Sequence, residues 1–209
     1  IGEDGLAYSA APTIRATAAL GPDAAKALFA GAPSSLDAVL DEAAKEGGKP
    51  KGFALDHSIK LERQSVTEKV SSPNVVAVLP GSDPALADEY VLLMGHLDHV
   101  GVDPTEEGED KIFNGAMDNA TGIATMLEVA RAMVESGERP RRPILFAAVT
   151  AEEKGLLGSQ YLAKHPVVDG KVVGVVNLDM PVLLYDFVDV IAFGAEHSTL
   201  GPIVEQLSL

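Results

Sequence analysis

Four short segments of the sequence place acidic or imidazole side chains where they could act together. These side chains are His96 and Asp98 in "GHLDHVG", Asp118 in "NGAMDNATG", Glu152 and Glu153 in "TAEEKG", and Asp179 in "NLDM". Carboxylates gathered at one place repel each other unless a cation neutralises them. One imidazole with several carboxylates and no thiolate suits zinc, with manganese or cobalt as substitutes. The pattern therefore predicts a metal site.

Each of these residues also has a structural interpretation when taken alone. Asp118 could cap a helix, Glu152 and Glu153 could form a solvated turn, and Asp179 could form another. His96 could be an interior histidine with satisfied hydrogen bonds. However, three of the segments follow apolar runs, and sites in open α/β sheets form beyond the carboxyl ends of the strands. Their joint placement favours the metal site.

The spacing within two segments indicates a division of roles. His96 and Asp98 are two residues apart in an extended stretch, so both side chains point to one face. We therefore expect the Asp98 carboxylate to accept the second N–H of the imidazole and to fix its tautomer. Glu152 and Glu153 are adjacent and cannot face one ion in the same way. One should bind metal while the other acts as general base on water.

The elements that must position these residues form an α/β pattern after about Asn74. Strands are predicted at Val75 to Leu79, Tyr90 to Met94, Ile144 to Val149, Val172 to Leu178 and Val188 to Phe193. Several are continuously apolar, so we expect burial on both faces. Helices are predicted at Ala120 to Val134, at Leu156 to Lys164 and from near Ser198 onward. In the first of these, a core-facing stripe comprises Ile123, Met126, Leu127, Ala130, Met133 and Val134.

The first 65 or so residues differ from the rest in composition and contain no recognisable catalytic or binding motif. They are rich in Ala and Lys. Two helices are predicted there, at Pro22 to Phe29 and at Ser35 to Glu46. Alternation through Ile59 and Leu61 predicts a strand.

Composition excludes several classes of function. The 209 residues contain 16 Lys plus Arg and 31 Asp plus Glu, a net charge of −15 that would repel nucleic acid. No apolar run approaches the roughly 18 residues needed to cross a bilayer, so a membrane partner is not expected. The sequence contains no Cys, which excludes disulfides and thiolate metal sites within it.

The segments "GHLDHVG", "GAMDNATG", "LFAAVTAEEKGLLGSQYL" and "NLDM" resemble a known family in their order and spacing. This is the zinc aminopeptidase family, which includes glutamate carboxypeptidases and, more distantly, glutaminyl cyclases. The resemblance implies a three-layer α/β/α sandwich with a mostly parallel mixed sheet. It implies a catalytic domain over residues 74–209. Residues 1–73 resemble the linker that follows a protease-associated domain in larger relatives.

The resemblance also implies a role for each site residue. His96 and Asp179 would hold one zinc, Asp118 would bridge two zincs, Glu153 would hold the other zinc, and Glu152 would be the general base. Asp98, which is expected to orient His96, is counted with Glu152 among the catalytic residues. The peptide bond after Asp118 is expected to be cis. The implied reaction is removal of N-terminal residues from a peptide substrate, with water activated by two zinc ions.

One ligand of the family is not matched. Its last zinc ligand is a His well beyond Asp179, so we expect a catalytic domain incomplete at its C-terminus, with one zinc held firmly or none. Self-association through the open edge of the sheet is expected to follow. Structural roles are assigned to the remaining histidines, which are His57, His99, His165 and His197.

Two alternatives to an aminopeptidase stay open. A carboxypeptidase or a glutaminyl cyclase could use the same scaffold. A non-catalytic receptor-like module is disfavoured, because such a module would be expected to have lost ligands or the base. The resemblance alone implies a periplasmic or secreted location.

Overall fold

The computed structural model describes residues 13–62, 64, 66, 68–181 and 191–207. The chain divides into two compact units, the first ending at Lys69 and the second beginning at Val70. All six residues of the predicted site lie in the second unit.

The described part of the first unit contains two short helices, α1 (Pro22–Leu28) and α2 (Leu36–Ala43), close to where they were predicted. The Ser35 hydroxyl caps α2 by accepting the Ala38 N–H at 3.2 Å. The predicted strand through Ile59 and Leu61 was wrong. Both side chains are exposed, and the described part of this unit offers no strand to pair with them.

The described part of the second unit contains six strands and three α-helices. The strands are β1 (Val75–Leu79), β2 (Glu89–His96), β3 (Gly101–Val102), β4 (Ile112–Phe113), β5 (Ile144–Val149) and β6 (Lys171–Asn177). The helices are α3 (Thr121–Glu135), α4 (Leu157–Lys164) and α5 (Leu200–Leu207). Single 3-10 turns occur at Pro84–Leu86 and Ala195–His197.

The main sheet is mixed and mostly parallel. Its strand order is β1-β5-β2-β6, with β5, β2 and β6 parallel and β1 antiparallel to β5. β3 and β4 form a separate antiparallel pair. Because β2, β5 and β6 run the same way, their carboxyl ends meet at one edge of the sheet.

Helices cover the main sheet on both faces, which confirms the three-layer α/β/α architecture. On one face, Met126 of α3 packs with Ile144 and Phe146 of β5. On the other face, Leu162 of α4 packs against a buried cluster of Leu92, Leu145, Ala147 and Val149. The alternating side chains of β5 supply both clusters, and β5 is almost wholly buried as its apolar sequence predicted.

For two other elements, β6 and α3, the sequence overestimated the burial of side chains. β6 was expected to be buried on both faces, but Val173 and Val175 are about half exposed, because β6 lies at the edge of the described sheet. In α3, Leu127 and Val134 are exposed, so the core stripe is narrower than predicted. Of the predicted strand Val188 to Phe193, residues 188–190 lie outside the described residues, and the prediction was wrong for residues 191–193, which are not in a strand. No helix in the described ranges is long and apolar enough to cross a membrane.

Candidate metal centre

The carboxyl ends of the three parallel strands bring the predicted residues to one edge of the sheet. His96 is the last residue of β2 and is paired with Val149, the last residue of β5. Glu152 and Glu153 follow β5 by three and four residues, and Asp179 follows β6 by two. The convergence expected from the sequence is therefore present in the fold.

His96 is the buried centre of the first group. Its side chain is 2% exposed, and its Nε2 lies 3.1 Å from Asp118 Oδ1 and 3.5 Å from Asp179 Oδ1. Its Nδ1 donates to the backbone carbonyl of Asp98 at 2.9 Å. That bond occupies Nδ1, so Nε2 is the nitrogen presented to the two carboxylates.

Several neighbours act on the charge of His96. Burial lowers the pKa of its imidazole, but the hydrogen bond to the Asp98 carbonyl and three nearby carboxylates outweigh burial, so the pKa is raised overall. The carboxylates are those of Asp179, Glu152 and Asp118. The pocket around His96 is therefore strongly electronegative and favours a cation.

The turn before α3 presents Asp118. The peptide bond between Asp118 and Asn119 is cis, as expected from the resemblance. Asn119 is buried; its Oδ1 accepts the N–H groups of Gly122 at 3.0 Å and Met180 at 3.1 Å. Its Nδ2 donates to the Leu178 carbonyl at 2.9 Å. Asn119 therefore ties the turn that carries Asp118 to the backbone on both sides of Asp179.

The carboxylate of Asp98 has a different partner from the one predicted. We expected it to accept the N–H of His96, yet Oδ1 lies 3.8 Å from His96 Nδ1. Instead Oδ1 accepts the backbone N–H of Glu152 at 3.0 Å, and Oδ2 that of Glu153 at 3.3 Å. Asp98 thus orients His96 through its main chain and positions the two glutamates through its side chain.

Hydrogen bonds from Asn74 fix the backbone on both sides of the turn that carries the two glutamates. Asn74 Oδ1 accepts the Thr150 N–H at 3.0 Å, and Asn74 Nδ2 donates to the Gly158 carbonyl at 2.9 Å. Ala151, directly before Glu152, has a φ of 53°, a left-handed conformation that costs energy for a residue with a Cβ. Strain of this kind occurs at functional sites, where the surrounding structure maintains it.

A second group forms on the other side of Asp118. His99 Nδ1 lies 2.8 Å from Glu153 Oε1 and 3.6 Å from Asp118 Oδ2. The two groups, His96 with Asp118 and Asp179, and His99 with Asp118 and Glu153, each bring their ligand atoms within 4.8 Å of one another. Asp118 belongs to both groups and turns one oxygen towards each.

Glu152 belongs to neither group. Burial raises the pKa of the Glu152 carboxyl, and the charge of His96 acts to lower it. Three neighbouring carboxylates raise it further, so the pKa is raised overall; they are those of Glu153, Asp179 and Asp98. A carboxylate with a raised pKa that is not used as a ligand is suited to accept a proton.

Both groups fit a metal ion by donor type and by separation. A tetrahedral zinc with bonds of about 2.0–2.2 Å places neighbouring ligand atoms roughly 3.3 Å apart. The measured separations between imidazole nitrogen and carboxylate oxygen run from 2.8 to 3.6 Å in the two groups. The mixture of nitrogen and oxygen donors is one that zinc accepts.

Comparison with known proteins agrees with this geometry. The sequence profile described as peptidase family M28 matches residues 74–207. The chain belongs to peptidase family M28. The family membership expected from the motifs is thereby confirmed.

The relatives of this M28 chain are longer proteins. A "Probable zinc metalloprotease" of Pyrenophora tritici-repentis is 33% identical over 148 residues, which are 69% of this chain and 33% of that protein. "Aminopeptidase NAALADL1" of Mus musculus is 31% identical over 146 residues, which are 65% of this chain and 17% of that protein. The chain thus spans about a third of the fungal relative and less of the mouse one.

Solved structures similar to the M28 chain include two bacterial enzymes. The Legionella pneumophila LapA aminopeptidase is 29% identical, with a TM-score of 0.41, over 52% of this chain and 26% of that chain. A Bacteroides thetaiotaomicron glutaminyl cyclase bound to N-acetylhistamine is 23% identical, with a TM-score of 0.40, over 51% of this chain and 41% of that chain.

Sequence reasoning missed two residues of this centre. His99 was assigned a structural role, although it follows Asp98 directly in "GHLDHVG". Asn119 was passed over, although it is the polar neighbour of Asp118. Of the other histidines, His165 stacks on Tyr161, and His197 is 82% exposed beside Glu196. His57 lies in the first unit.

Proposed function

We propose that the protein is a two-zinc aminopeptidase that releases residues from the N-terminus of peptides. The observation that carries the proposal is the position of Asp118 between two histidines. Its Oδ1 lies 3.1 Å from His96 Nε2, and its Oδ2 lies 3.6 Å from His99 Nδ1. A carboxylate with one oxygen on each side is suited to bridge two cations.

The donor set supports zinc at both positions. His96, Asp118 and Asp179 would hold one ion, and Asp118 with Glu153 would hold the other. When bound, zinc acts as a Lewis acid that lowers the pKa of water and polarises the scissile carbonyl. The relatives named as zinc metalloproteases agree with this choice of metal.

Glu152 is proposed as the general base. It takes a proton from the attacking water while the water oxygen bonds to the carbonyl carbon, and it passes that proton to the leaving amine nitrogen as the C–N bond breaks. Glu152 belongs to neither metal group, so its carboxylate is available for both transfers. The backbone bond from its N–H to Asp98 keeps the side chain at the edge of the cluster.

The acidic surroundings favour a substrate with a free α-amine. Glu152 adds a carboxylate beside the two metal groups, and the carboxylate of Asp179, which belongs to the first group, is 42% exposed. A protonated α-amine could pair with the exposed carboxylate of Asp179. The described residues that line the cavity beside His99 include no Lys or Arg that would pair with a C-terminal carboxylate. This difference favours an aminopeptidase over a carboxypeptidase.

A reporter panel tests the proposal. The full-length protein, loaded with zinc, is assayed on aminoacyl anilides, on carboxyl-terminal reporter peptides and on peptides that begin with glutamine. We expect zinc-dependent cleavage of the aminoacyl anilides. Cleavage of the carboxyl-terminal reporters alone would identify a carboxypeptidase, and ring closure of the glutaminyl peptides would identify a cyclase. No turnover with both metals bound would favour a binding module.

A further inference from the structure

We infer that Asn74 is a positioning residue for the proposed hydrolysis: its side chain acts through the backbone of the turn after β5 and holds Glu152 where the general base must lie. This inference rests on the proposed function and names a residue outside both metal groups. The competing role for Asn74 is to stabilise the fold with no effect on the placement of Glu152.

The strand order brings Asn74 to the edge of the sheet where the base lies. β1 is antiparallel to β5, and Val75, the first residue of β1, is paired with Ala148 near the end of β5. An antiparallel strand begins where its neighbour ends. Asn74 directly precedes β1, so it lies beside the residues that follow β5, although it is 76 positions from Thr150 in the chain.

The side chain of Asn74 joins the two ends of the turn. Its Oδ1 accepts the Thr150 N–H at 3.0 Å, and its Nδ2 donates to the Gly158 carbonyl at 2.9 Å. The same two ends are also joined directly, because the Gly158 N–H donates to the Thr150 carbonyl at 2.9 Å. Residues 151–157, with Glu152 among them, therefore form a loop whose two ends are fixed to one side chain.

Gly158 makes the close approach of the two ends possible. A Cβ built at position 158 would lie 2.1 Å from the Thr150 carbonyl oxygen and 2.7 Å from Asn74 Oδ1. A residue with a side chain could not take this place without separating the ends of the turn. The contacts among Asn74, Thr150 and Gly158 therefore set the geometry from which the turn starts and to which it returns.

The turn contains two residues in strained backbone conformations. Ala151 has a φ of 53° and Leu156 a φ of 60°, and such conformations persist only where the surrounding structure maintains them. Asn74 fixes the turn from the β1 side of β5. Asp98 fixes it from the β2 side, where its carboxylate accepts the Glu152 N–H at 3.0 Å. Removal of the Asn74 side chain releases one of these two sides, so Glu152, directly after Ala151, should move.

The first test removes the Asn74 side chain in the full-length, zinc-loaded protein. Asn74→Ala leaves the Thr150 N–H and the Gly158 carbonyl without their partner. A displacement of about 1 Å can cost roughly 10²-fold in rate, so we expect kcat for an aminoacyl anilide to fall by about that factor. KM should be nearly unchanged, because the base acts in the transition state rather than in substrate binding.

Ser72→Ala is the matched control. The Ser72 hydroxyl lies 2.7 Å from the Thr150 hydroxyl, so this substitution also removes a hydrogen bond to Thr150. It leaves both backbone groups that Asn74 binds paired. We expect Ser72→Ala to lower the melting temperature and to keep the kcat of the wild-type protein.

The second test determines whether the effect of Asn74 passes through Glu152. Asn74→Ala is combined with Glu152→Gln, which removes the base, and zinc content is measured on every sample. Since no base is left to position, Asn74→Ala should lower the residual turnover of the Glu152→Gln protein by a much smaller factor than it lowers that of the wild type. Partial unfolding or loss of zinc would lower both by the same factor.

Three results overturn the inference. The first is an Asn74→Ala protein with the kcat of the wild type, the second is a Ser72→Ala protein that loses as much kcat as Asn74→Ala, and the third is an equal loss with and without Glu152. In each case a wild-type protein that cleaves aminoacyl anilides only with zinc leaves the proposed function standing. A wild-type protein without zinc-dependent turnover contradicts both.

Discussion

The carboxylate of Asp98 accepts the backbone N–H of Glu152 at 3.0 Å, and so joins the end of β2 to the turn after β5. The same residue accepts the imidazole N–H of His96 on its main-chain carbonyl. One residue therefore sets the position of the proposed base and of the most buried ligand. Substitutions at the carboxyl ends of these strands should therefore be of three kinds: those that remove a metal ligand, those that remove the general base, and those that displace both the ligand and the base.

Glu152→Gln should remove most turnover and leave zinc in place. The substitution keeps the size of the side chain but removes the proton acceptor, and general-base catalysis is typically worth about 10²–10⁴-fold in rate. Turnover of an aminoacyl anilide and zinc content are measured on the same sample. Glu153→Gln is the matched control and should lose zinc. A Glu152→Gln protein with near-normal turnover would show that the base has been assigned to the wrong residue.

Asp118→Ala should weaken zinc binding more than Asp98→Ala. Asp118 presents an oxygen to each metal group, whereas Asp98 acts through hydrogen bonds to the residues around them. Loss of an orienting residue typically weakens metal affinity by about 10–100-fold. Zinc titrations against a competing chelator compare the two variants. Equal losses would mean that Asp118 does not bridge the sites.

Asn119→Ala should destabilise the fold and weaken the first zinc site together. The substitution leaves the Gly122 and Met180 N–H groups and the Leu178 carbonyl without their partner. Each buried polar group left unpaired costs about 1–3 kcal/mol. Denaturant unfolding measures the stability, and zinc titration measures the site. Unchanged stability would show that water or a shifted backbone replaces these hydrogen bonds.

Gly122→Ala should also be destabilising, although Ala normally favours a helix over Gly by about 1 kcal/mol. A Cβ at position 122 would lie 2.5 Å from the Leu178 carbonyl oxygen and even closer to Asn119 Oδ1. Overpacking of this kind costs typically about 1–3 kcal/mol. Gly174→Ala is the control, because no heavy atom lies within 4 Å of its added Cβ. Thermal unfolding of both variants distinguishes them; a stabilised Gly122→Ala protein would contradict the packing seen here.

Much of the site could be predicted because it follows from parallel strands. Once β2, β5 and β6 are parallel, their carboxyl ends must lie together. His96 and Asp179 belong to one metal group there, and Glu153 belongs to the second group, which shares Asp118 with the first. The partner of the Asp98 carboxylate could not be predicted, because it depends on the path of the turn after β5. The position of His99 depends on the left-handed turn at Gly115 and on its contact with Phe113 in β4. It could not be predicted, because no pattern in the sequence indicated the short β3–β4 pair or its contacts.

Burial was predictable for the central strands but not for the sheet edge. The apolar sequence of β5 matches its burial, while β6 is largely exposed although it contains four Val residues, because burial also depends on which strands and helices lie alongside. The linker role of residues 1–73, self-association and an exported location stay predictions.

The most direct test of the proposed function is mass spectrometry of peptides incubated with the zinc-loaded protein. A short peptide with a free N-terminus is compared with the same peptide acetylated at that end. We expect the free peptide to shorten from its N-terminus one residue at a time, only with zinc, and the acetylated peptide to stay intact. Shortening from the C-terminus, internal cleavage, or no cleavage by the zinc-loaded protein would contradict an aminopeptidase.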